Sequence, residues 1–175
     1  MGRLIFGMMQ SLDGYLEHVQ LGPPGPILAR HLLEQFRGLS GILYGRRMYE
    51  VMRYWDADQP DWDEIEHDFA QAWRPKPKWV ASRSLTSVGP NATRVHGDWI
   101  DFAASLKSER DGDVAGAELA NVLSAAGLID EYRLYFRPYV LGGGKPYFAG
   151  PVSPLRLVKH EAIGEDAVRL TYVPA

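Results

Sequence analysis

The sequence has no cysteine among its 175 residues. Without thiols the chain has no disulfide bond, no cysteine–zinc site and no thiol nucleophile. It also lacks a run of 18 apolar residues, which a membrane-spanning helix requires, and its N-terminal apolar stretch is too short for a secretory signal. We therefore expect a cytoplasmic protein that neither spans nor binds a membrane.

Several nucleotide, metal and hydrolase signatures are missing as well. The segment "GGGK" at 142–145 lacks the spacing and the following Ser or Thr of a P-loop, and no G-x-G-x-x-G occurs. No G-x-S-x-G elbow is present. The five histidines are scattered, at positions 18, 31, 67, 96 and 160. We predict no metal site, because no two of them have the spacing of metal ligands.

The net charge of −3 is unevenly distributed. Residues 56–68 hold seven acids and no Lys or Arg, so the remainder has a net charge of +4, mostly from Arg. That excess is too small for a nucleic-acid-binding protein, where a strong basic stripe is expected. Arg suits bidentate phosphate recognition better than Lys does. The acidic segment is predicted to be a solvated loop and helix face.

Short apolar runs alternate with segments of helical spacing along the whole chain. Strands are predicted at 4–9, 42–44, 78–82, 93–96, 132–136, 155–163 and 168–173. Helices are predicted at 27–37, at 46–55, after an Asp61 cap, after an Asp98 cap, and at 117–126. This order predicts one α/β domain over 1–175, with three layers and a mixed, mostly parallel central sheet between helices on both faces. The last two strands flank a "GED" turn and are predicted to form an antiparallel hairpin.

The stretch "LYGRRMYEVM" contains the first of three strand-to-helix junctions that carry candidate ligand groups. Gly45 separates the strand from a helix that begins with Arg46 and Arg47. A helix N-terminus favours anions, and two arginines there oppose the helix dipole unless an anion is bound. We predict a phosphate site, with an incidental surface pair as the alternative.

The other two junctions repeat the pattern. Ser82 and Arg83 follow a strand, at the carboxyl end where α/β sheets bind ligands; the alternative is a simple turn. Ala115, Gly116 and Ala117 form a small-residue turn that allows a ligand to approach the backbone; the alternative is helix–sheet packing. Three such junctions in one small sheet favour a shared anionic ligand.

Asp13 and Gly14 form a dipeptide typical of turns after the first strand. The functional interpretation is a mobile loop over a ligand, in which Asp13 anchors the loop or touches the substrate.

Four segments, in this order, resemble the dihydrofolate reductase-like superfamily. They are "SLDGYLE", "GRRMYE", "SRSL" and, most specifically, "AGAELANVLSAAGLIDEYRLYFRPYVLGGGKPYF" at 115–148. The resemblance is closer to the branch typified by the reductase domain of the bifunctional riboflavin-biosynthesis deaminase–reductase. It extends from about residue 3 to 173.

The resemblance implies a dihydrofolate reductase-like fold, usually a homodimer, with NADPH across the strand ends. Gly45, Arg46 and Arg47 would meet cofactor phosphates, and Ser82 and Arg83 would lie near the 2′-phosphate. The residues implied for the pyrophosphate and nicotinamide side are Gly116, Ala117, Glu118 and Leu119. The implied activity is NADPH-dependent reduction of a small heterocyclic or carbonyl-type substrate. The candidate by resemblance is the riboflavin-pathway 5-amino-6-(5-phosphoribosylamino)uracil reductase, with water or Asp13 as the catalytic proton source.

The chain departs from the family pattern at three places. Met48 replaces a Thr that contacts the pyrophosphate, and Ala115 replaces the first of two paired glycines. Leu32 occupies the slot of the folate enzymes' acid, and Glu34 is predicted to point elsewhere, so dihydrofolate reduction is not expected. Two alternatives stay open: a nucleotide-binding protein without turnover, and a dimeric interaction module with the aromatic strand 132–139 exposed. Loops 10–26 and 54–62 are expected to shape the substrate pocket.

Overall fold

A computed structural model of the chain describes residues 2–17, 19–109, 112–115 and 117–175. The helices are α1 (Pro26–Arg37), α2 (Arg46–Met52), α3 (Glu64–Trp73), α4 (Trp99–Glu109) and α5 (Ala117–Ala125). The strands are β1 (Leu4–Gln10), β2 (Ile42–Gly45), β3 (Lys78–Ala81), β4 (Ala92–Val95), β5 (Gly112–Ala115), β6 (Glu131–Phe136), β7 (Leu155–Ile163) and β8 (Ala167–Pro174). Helices and strands thus follow the order that the sequence predicted, with α2 and α3 consecutive and β3 and β4 consecutive.

Over the described residues, one eight-stranded sheet forms the centre, in the order β4-β3-β2-β5-β1-β6-β8-β7. The six strands from β4 to β6 are parallel to their neighbours. β8 runs antiparallel to both β6 and β7, so the C-terminal pair is a hairpin. This confirms the predicted mixed, mostly parallel sheet.

Helices cover both faces because side chains alternate along each strand. Leu43 of β2 belongs to a core with residues of α4 and α5, such as Ala103 and Leu123. Its neighbours Ile42 and Tyr44 belong to a second core with Phe36 of α1 and residues of α2 and α3. The three predicted layers are therefore present.

Two helix boundaries differ from prediction. α2 ends at Met52, and a 3₁₀ turn, Arg53–Asp56, replaces its predicted last turn. α3 is capped by Asp63 and not by Asp61: the Asp63 carboxylate accepts the Glu66 N–H, and the Glu66 carboxylate accepts the Asp63 N–H, both at 2.8 Å. Two overlapping Asp-x-x-Glu patterns occur here, and only the second forms the capping box.

The predicted exposure of the aromatic strand at 132–139 is wrong for β6, although Tyr139, beyond the end of the strand, is 38% exposed. β6 lies inside the sheet between β1 and β8, and Tyr132 and Tyr135 are each 3% exposed. The reason is that β8 turns back to pair with β6, so that β6 is not an edge. The hairpin moves the edge of the sheet to β7.

The described helices are all too short to cross a bilayer. The longest of them, α1, has 12 residues, whereas a membrane span needs about 20.

Candidate functional site

A groove of about 630 Å³ lies where β2 and β3 end and α2 begins. Seven residues predicted to bind a cofactor line it: Gly45, Arg46, Arg47, Ser82, Arg83, Glu118 and Leu119. Ala117 is the first residue of α5, and Gly116 lies outside the described residues. The structure therefore gathers the three junctions on one groove because the parallel strands end at the same edge of the sheet.

Arg46 is partly committed to contacts within the chain. Its Nε donates to Glu50 Oε1 at 3.0 Å, and its Nη1 donates to Ser84 Oγ at 2.8 Å. The sequence predicts that Arg46 opposes the helix dipole unless an anion is bound. This i,i+4 ion pair corrects the prediction, because Glu50 already compensates the charge of Arg46. α2 also has only seven residues, so the attraction for an anion comes mainly from the side chains.

Arg47 and Glu118 face each other across the groove without a close contact. The Arg47 side chain is 81% exposed, and its Nη1 is 3.7 Å from Glu118 Oε1. Glu118 has a closer partner, because Lys145 Nζ donates to the same oxygen at 2.8 Å. This hydrogen bond from Lys145 is the main reason that the pKa of Glu118 is lowered.

Arg83 is the least compensated cation of the groove. Its guanidinium lies over the Trp99 ring, 5.4 Å from the ring centroid. Within the part of the chain that the structure describes, no carboxylate lies within ion-pairing distance of it. The neighbouring Ser82 is buried, and its Oγ accepts the N–H groups of Ser84 and Leu85. This turn presents Arg83 to solvent beside an aromatic face.

A second cavity, of about 470 Å³, adjoins the groove. We call it the pocket. Its lining includes Met8, Met9, Leu32, Phe36, Met48 and Phe69. It shares Arg47, Met48 and Lys145 with the groove. A ligand in the pocket and a ligand in the groove would thus meet at these three residues.

The polar side chains at the sheet end of the pocket bind one another. Arg133 Nε donates to Glu131 at 2.5 Å, and Arg133 Nη1 donates to Gln35 Oε1 at 2.9 Å. Gln35 Oε1 also accepts from Arg169 Nη1 at 3.2 Å. Because the oxygen takes both arginine donors, the Gln35 NH₂ group is left to face other partners.

The prediction that Glu34 points away from the site is confirmed. Leu32 lines the pocket, whereas Glu34 points outward and pairs with Arg37 at 2.6 Å. The pocket-forming loops were predicted only in part. The first loop contributes Leu16 and Glu17, but none of the lining residues comes from 54–62.

Asp13 lies in neither cavity. Its carboxylate accepts the N–H groups of Leu141, at 3.1 Å, and Gly142, at 2.7 Å. The hydrogen bond from Ser11 and then the Leu141 N–H lower its pKa to about 2. The Leu16 N–H donates to the Lys145 carbonyl at 2.7 Å, so the same loop also holds the backbone of Lys145. The geometry favours the anchoring role of Asp13, and its catalytic role stays a prediction.

Sequence reasoning missed Lys145, Gln35 and Arg133. Lys145 lies in the "GGGK" segment, which does not match a P-loop, and in the segment 115–148 that carries the resemblance, but neither pattern assigns it a role. Gly142 and Gly144 do adopt positive φ angles, of 73° and 132°.

Among the described residues, no group of three or more His, Asp or Glu is arranged to hold a metal ion.

Comparison with known proteins places this geometry in a family. The family model of the RibD C-terminal domain matches residues 3–169. The uncharacterized protein YyaP of Bacillus subtilis (strain 168) is 25% identical over 177 residues, which cover 97% of this chain and 94% of YyaP.

Three solved structures share the fold. A putative riboflavin biosynthesis protein from Shewanella sp. PV-4 has a TM-score of 0.77 at 23% identity, covering 100% of this chain and 99% of its own. RibD of Acinetobacter baumannii has a TM-score of 0.70 at 16% identity, and this chain spans 58% of its length. A pyrimidine reductase-like protein from Corynebacterium diphtheriae has a TM-score of 0.67 at 10% identity, with coverage of 98% and 91%.

Proposed function

Because the chain belongs to the RibD C-terminal domain family, we propose that it is an NADPH-dependent reductase of a small heterocyclic substrate. The family is associated with reductase activity, and the fold is that of riboflavin-pathway reductases. The reduction of 5-amino-6-(5-phosphoribosylamino)uracil is the candidate reaction that the family suggests.

The observation that carries the proposal is the uncompensated Arg83 in a groove with three further cations. Arg46, Arg47 and Lys145 line the same groove, against the two carboxylates of Glu50 and Glu118. Its volume of about 630 Å³ is within the range of small-molecule sites. The donor set therefore fits a phosphorylated dinucleotide.

Each part of the groove suits one part of the cofactor. We assign the 2′-phosphate to Arg83 and Ser82, because Arg83 has no carboxylate partner among the described residues and guanidinium binds phosphate well. We assign the pyrophosphate to Arg46 and Arg47, beside Gly45. The Trp99 ring under Arg83 adds an aromatic face for the adenine side.

The protein supplies position and environment for the reaction, and NADPH supplies the hydride when it is bound. The apolar lining of the pocket, with Leu32, Phe36 and Phe69, excludes water from the substrate ring. Neither Leu32 nor the ionised Asp13 donates a proton at neutral pH. We therefore assign the proton to water that enters at the boundary with the groove.

A nucleotide-binding protein without turnover is the second candidate. It is favoured by Met48, which lines both cavities in place of the family's Thr, and by Leu32 in place of an acid. Substrate-dependent loss of nicotinamide absorbance separates the two candidates, because only the reductase oxidises NADPH.

A dimeric interaction module is less well supported, since Tyr132 and Tyr135, in the aromatic strand that was to form its surface, are buried. The homodimer that the family resemblance implies stays a prediction. Light scattering after gel filtration measures it directly: a mass of about twice the chain's 19.6 kDa is expected.

The test of cofactor binding is a calorimetric titration with NADPH and with NADH. We expect tighter binding of NADPH, because only NADPH carries the 2′-phosphate. Arg83→Ala should weaken NADPH binding about tenfold, the loss of one charge-assisted contact, and leave NADH binding unchanged.

Arg156→Ala is the matched control, since Arg156 is an exposed arginine of β7 outside the groove. It should leave both affinities unchanged. Equal binding of the two dinucleotides, or an equal loss for both in Arg83→Ala, would contradict the assignment of the 2′-phosphate. No binding of either would contradict the proposed function.

A further inference from the structure

Lys145 stands at the boundary of the groove and the pocket and lines both. Its side chain is 32% exposed, and its Nζ holds the Glu118 carboxylate at 2.8 Å. The ammonium group therefore already binds a carboxylate of the same chain. The ammonium has further donors, so a ligand oxyanion can join or replace Glu118 there.

The space behind Lys145 suits a flat apolar ring. The side chains of Met8, Met9, Met48 and Phe36 line it, together with Phe69, whose ring centroid is 4.9 Å from that of Phe36. Methionine sulfur makes favourable contacts with aromatic rings and adapts to irregular shapes. The pocket thus gains most from an aromatic ligand.

The far end of the pocket offers hydrogen bonding, and its charged side chains are already paired within the chain. The Arg133 guanidinium is bound to Gln35 and to Glu131, whose other oxygen pairs with Arg3. The Gln35 oxygen is taken by two arginines, and within the described chain its NH₂ group has no hydrogen-bond acceptor. One neutral donor is therefore available to a ring nitrogen or a carbonyl oxygen.

We propose that the pocket binds a planar heteroaromatic ring that carries a carboxylate or similar oxyanion, with the oxyanion on Lys145 and a ring acceptor on the Gln35 amide. This inference rests on the proposed function, because it names the substrate class of the same site. It differs from the phosphoribosylamino pyrimidine by placing the ligand's charge at the mouth of the pocket and no sugar phosphate inside.

Two carboxylates set the strength of this contact. Glu118 competes with the ligand for Lys145, and its removal frees the ammonium group. Glu17 also lines the pocket and repels an anion in wild type and variants alike. The ligand's preference for Lys145 is therefore best measured as a ratio between a charged probe and an uncharged one.

The probes are quinoline-6-carboxylate and quinoline-6-carboxamide, which share the ring and a nitrogen on the ring opposite the substituent, and which differ in charge. Isothermal titration calorimetry on the full chain, without nucleotide, measures both dissociation constants. We expect the carboxylate to bind about tenfold more tightly than the carboxamide, the value of one charge-assisted hydrogen bond. Naphthalene-2-carboxylate, which lacks the ring nitrogen, should bind more weakly than quinoline-6-carboxylate.

Two variants and one control identify the residue. Lys145→Met should reduce the preference for the carboxylate several-fold while the carboxamide still binds; the preference that remains is assigned to Arg47, which lines the same boundary. Glu118→Gln should tighten carboxylate binding two- to fivefold, because it removes an exposed competitor. Arg156→Ala is again the control, since Arg156 is an exposed cation of β7 outside both cavities; it should change neither affinity.

Three results overturn the proposal: equal binding of the two quinolines, an unchanged preference in Lys145→Met, or no binding of either probe. The outcome is separable from that of the proposed function, which is tested by NADPH binding and Arg83. If NADPH fails to bind while Lys145 still selects the carboxylate, the reductase function fails and the ring-oxyanion site remains.

Discussion

Arg169, in strand β8 of the C-terminal hairpin, and Arg137, just after β6, are buried, whereas Arg46, Arg47 and Arg83, at the groove, are exposed. The buried pair is surrounded by fixed acceptors. Arg169 pairs with Glu161 at 3.2 Å, and Arg137 pairs with Asp166 at 3.3 Å and donates to the Pro23 carbonyl at 3.2 Å. At the groove, Arg46 and Arg47 pair with exposed carboxylates. Arg83 has no carboxylate partner among the described residues.

This difference separates structural arginines from ligand-binding ones. A buried charge without a partner costs several kcal/mol, so a buried arginine is retained only with its acceptors in place. An exposed ion pair contributes about 0–1 kcal/mol, so a groove arginine can exchange its partner for a ligand at little cost. Exposure and partners, and not the residue type, mark the groove as the binding region.

The largest expected effect comes from breaking a buried pair. Asp166→Asn removes the carboxylate opposite Arg137. Arg137 is 2% exposed, and its Nε already lacks a hydrogen-bond partner among the described residues. The Asp166 carboxylate also accepts the Gly25 N–H at 3.0 Å. The free energy of unfolding, measured with urea, should fall by about 3 kcal/mol.

Glu50→Gln is the matched variant at the groove, because it breaks the exposed Arg46–Glu50 pair. It should change the free energy of unfolding by less than about 0.5 kcal/mol. If both variants unfold at the wild-type urea concentration, burial does not distinguish the two groups of arginines.

The same Glu50→Gln variant should act on cofactor binding, with a smaller free-energy effect. Removing the carboxylate frees Arg46 and removes a negative charge from the groove, so NADPH should bind about two- to threefold more tightly. Arg46→Ala should weaken binding about threefold, less than Arg83→Ala, because Arg46 is already engaged by Glu50 and Ser84. Titrations at low ionic strength measure both effects. Weaker NADPH binding in Glu50→Gln would place the cofactor away from Arg46.

Much of the fold could be predicted because apolar periodicity is local information. The strands, the helices and the hairpin follow from it, and so does the meeting of the junctions at one edge of a parallel sheet. The cap of α3 could not be fixed, because Asp61 and Asp63 carry the same pattern. The position of β6 inside the sheet depends on how β8 returns, which no local pattern encodes.

The charged groove residues that directly follow a strand in sequence could be predicted. The pocket residues that meet only through tertiary contacts could not. Arg133 and Gln35 reach the pocket from β6 and α1 and are not near each other in sequence. Lys78 shows that residue type alone does not predict burial. It is 1% exposed, and its Nζ donates to the carbonyls of Arg74 and Lys76. A lysine is ordinarily predicted to be exposed.

The smallest expected effect concerns Asp13, an exposed acid that is nevertheless firmly bound. Its folded pKa of about 2 lies below the ordinary value of 3.8, so the unfolded chain binds the proton more readily. The stability that Asp13 contributes is therefore present above about pH 4 and is lost as the pH falls toward 2. The difference in the free energy of unfolding between wild type and Asp13→Asn should follow this course.

The variant also tests what Asp13 does at pH 7. If Asp13 only holds the segment of Leu141 and Gly142, and through the same loop Lys145, then Asp13→Asn should weaken quinoline-6-carboxylate binding modestly and leave the pH profile of turnover unchanged. A shifted pH profile would instead place Asp13 in the proton transfer. Asp13 would then be an exposed reacting group. Exposure would mark a functional acid in this protein, as it marks the cofactor-binding arginines of the groove.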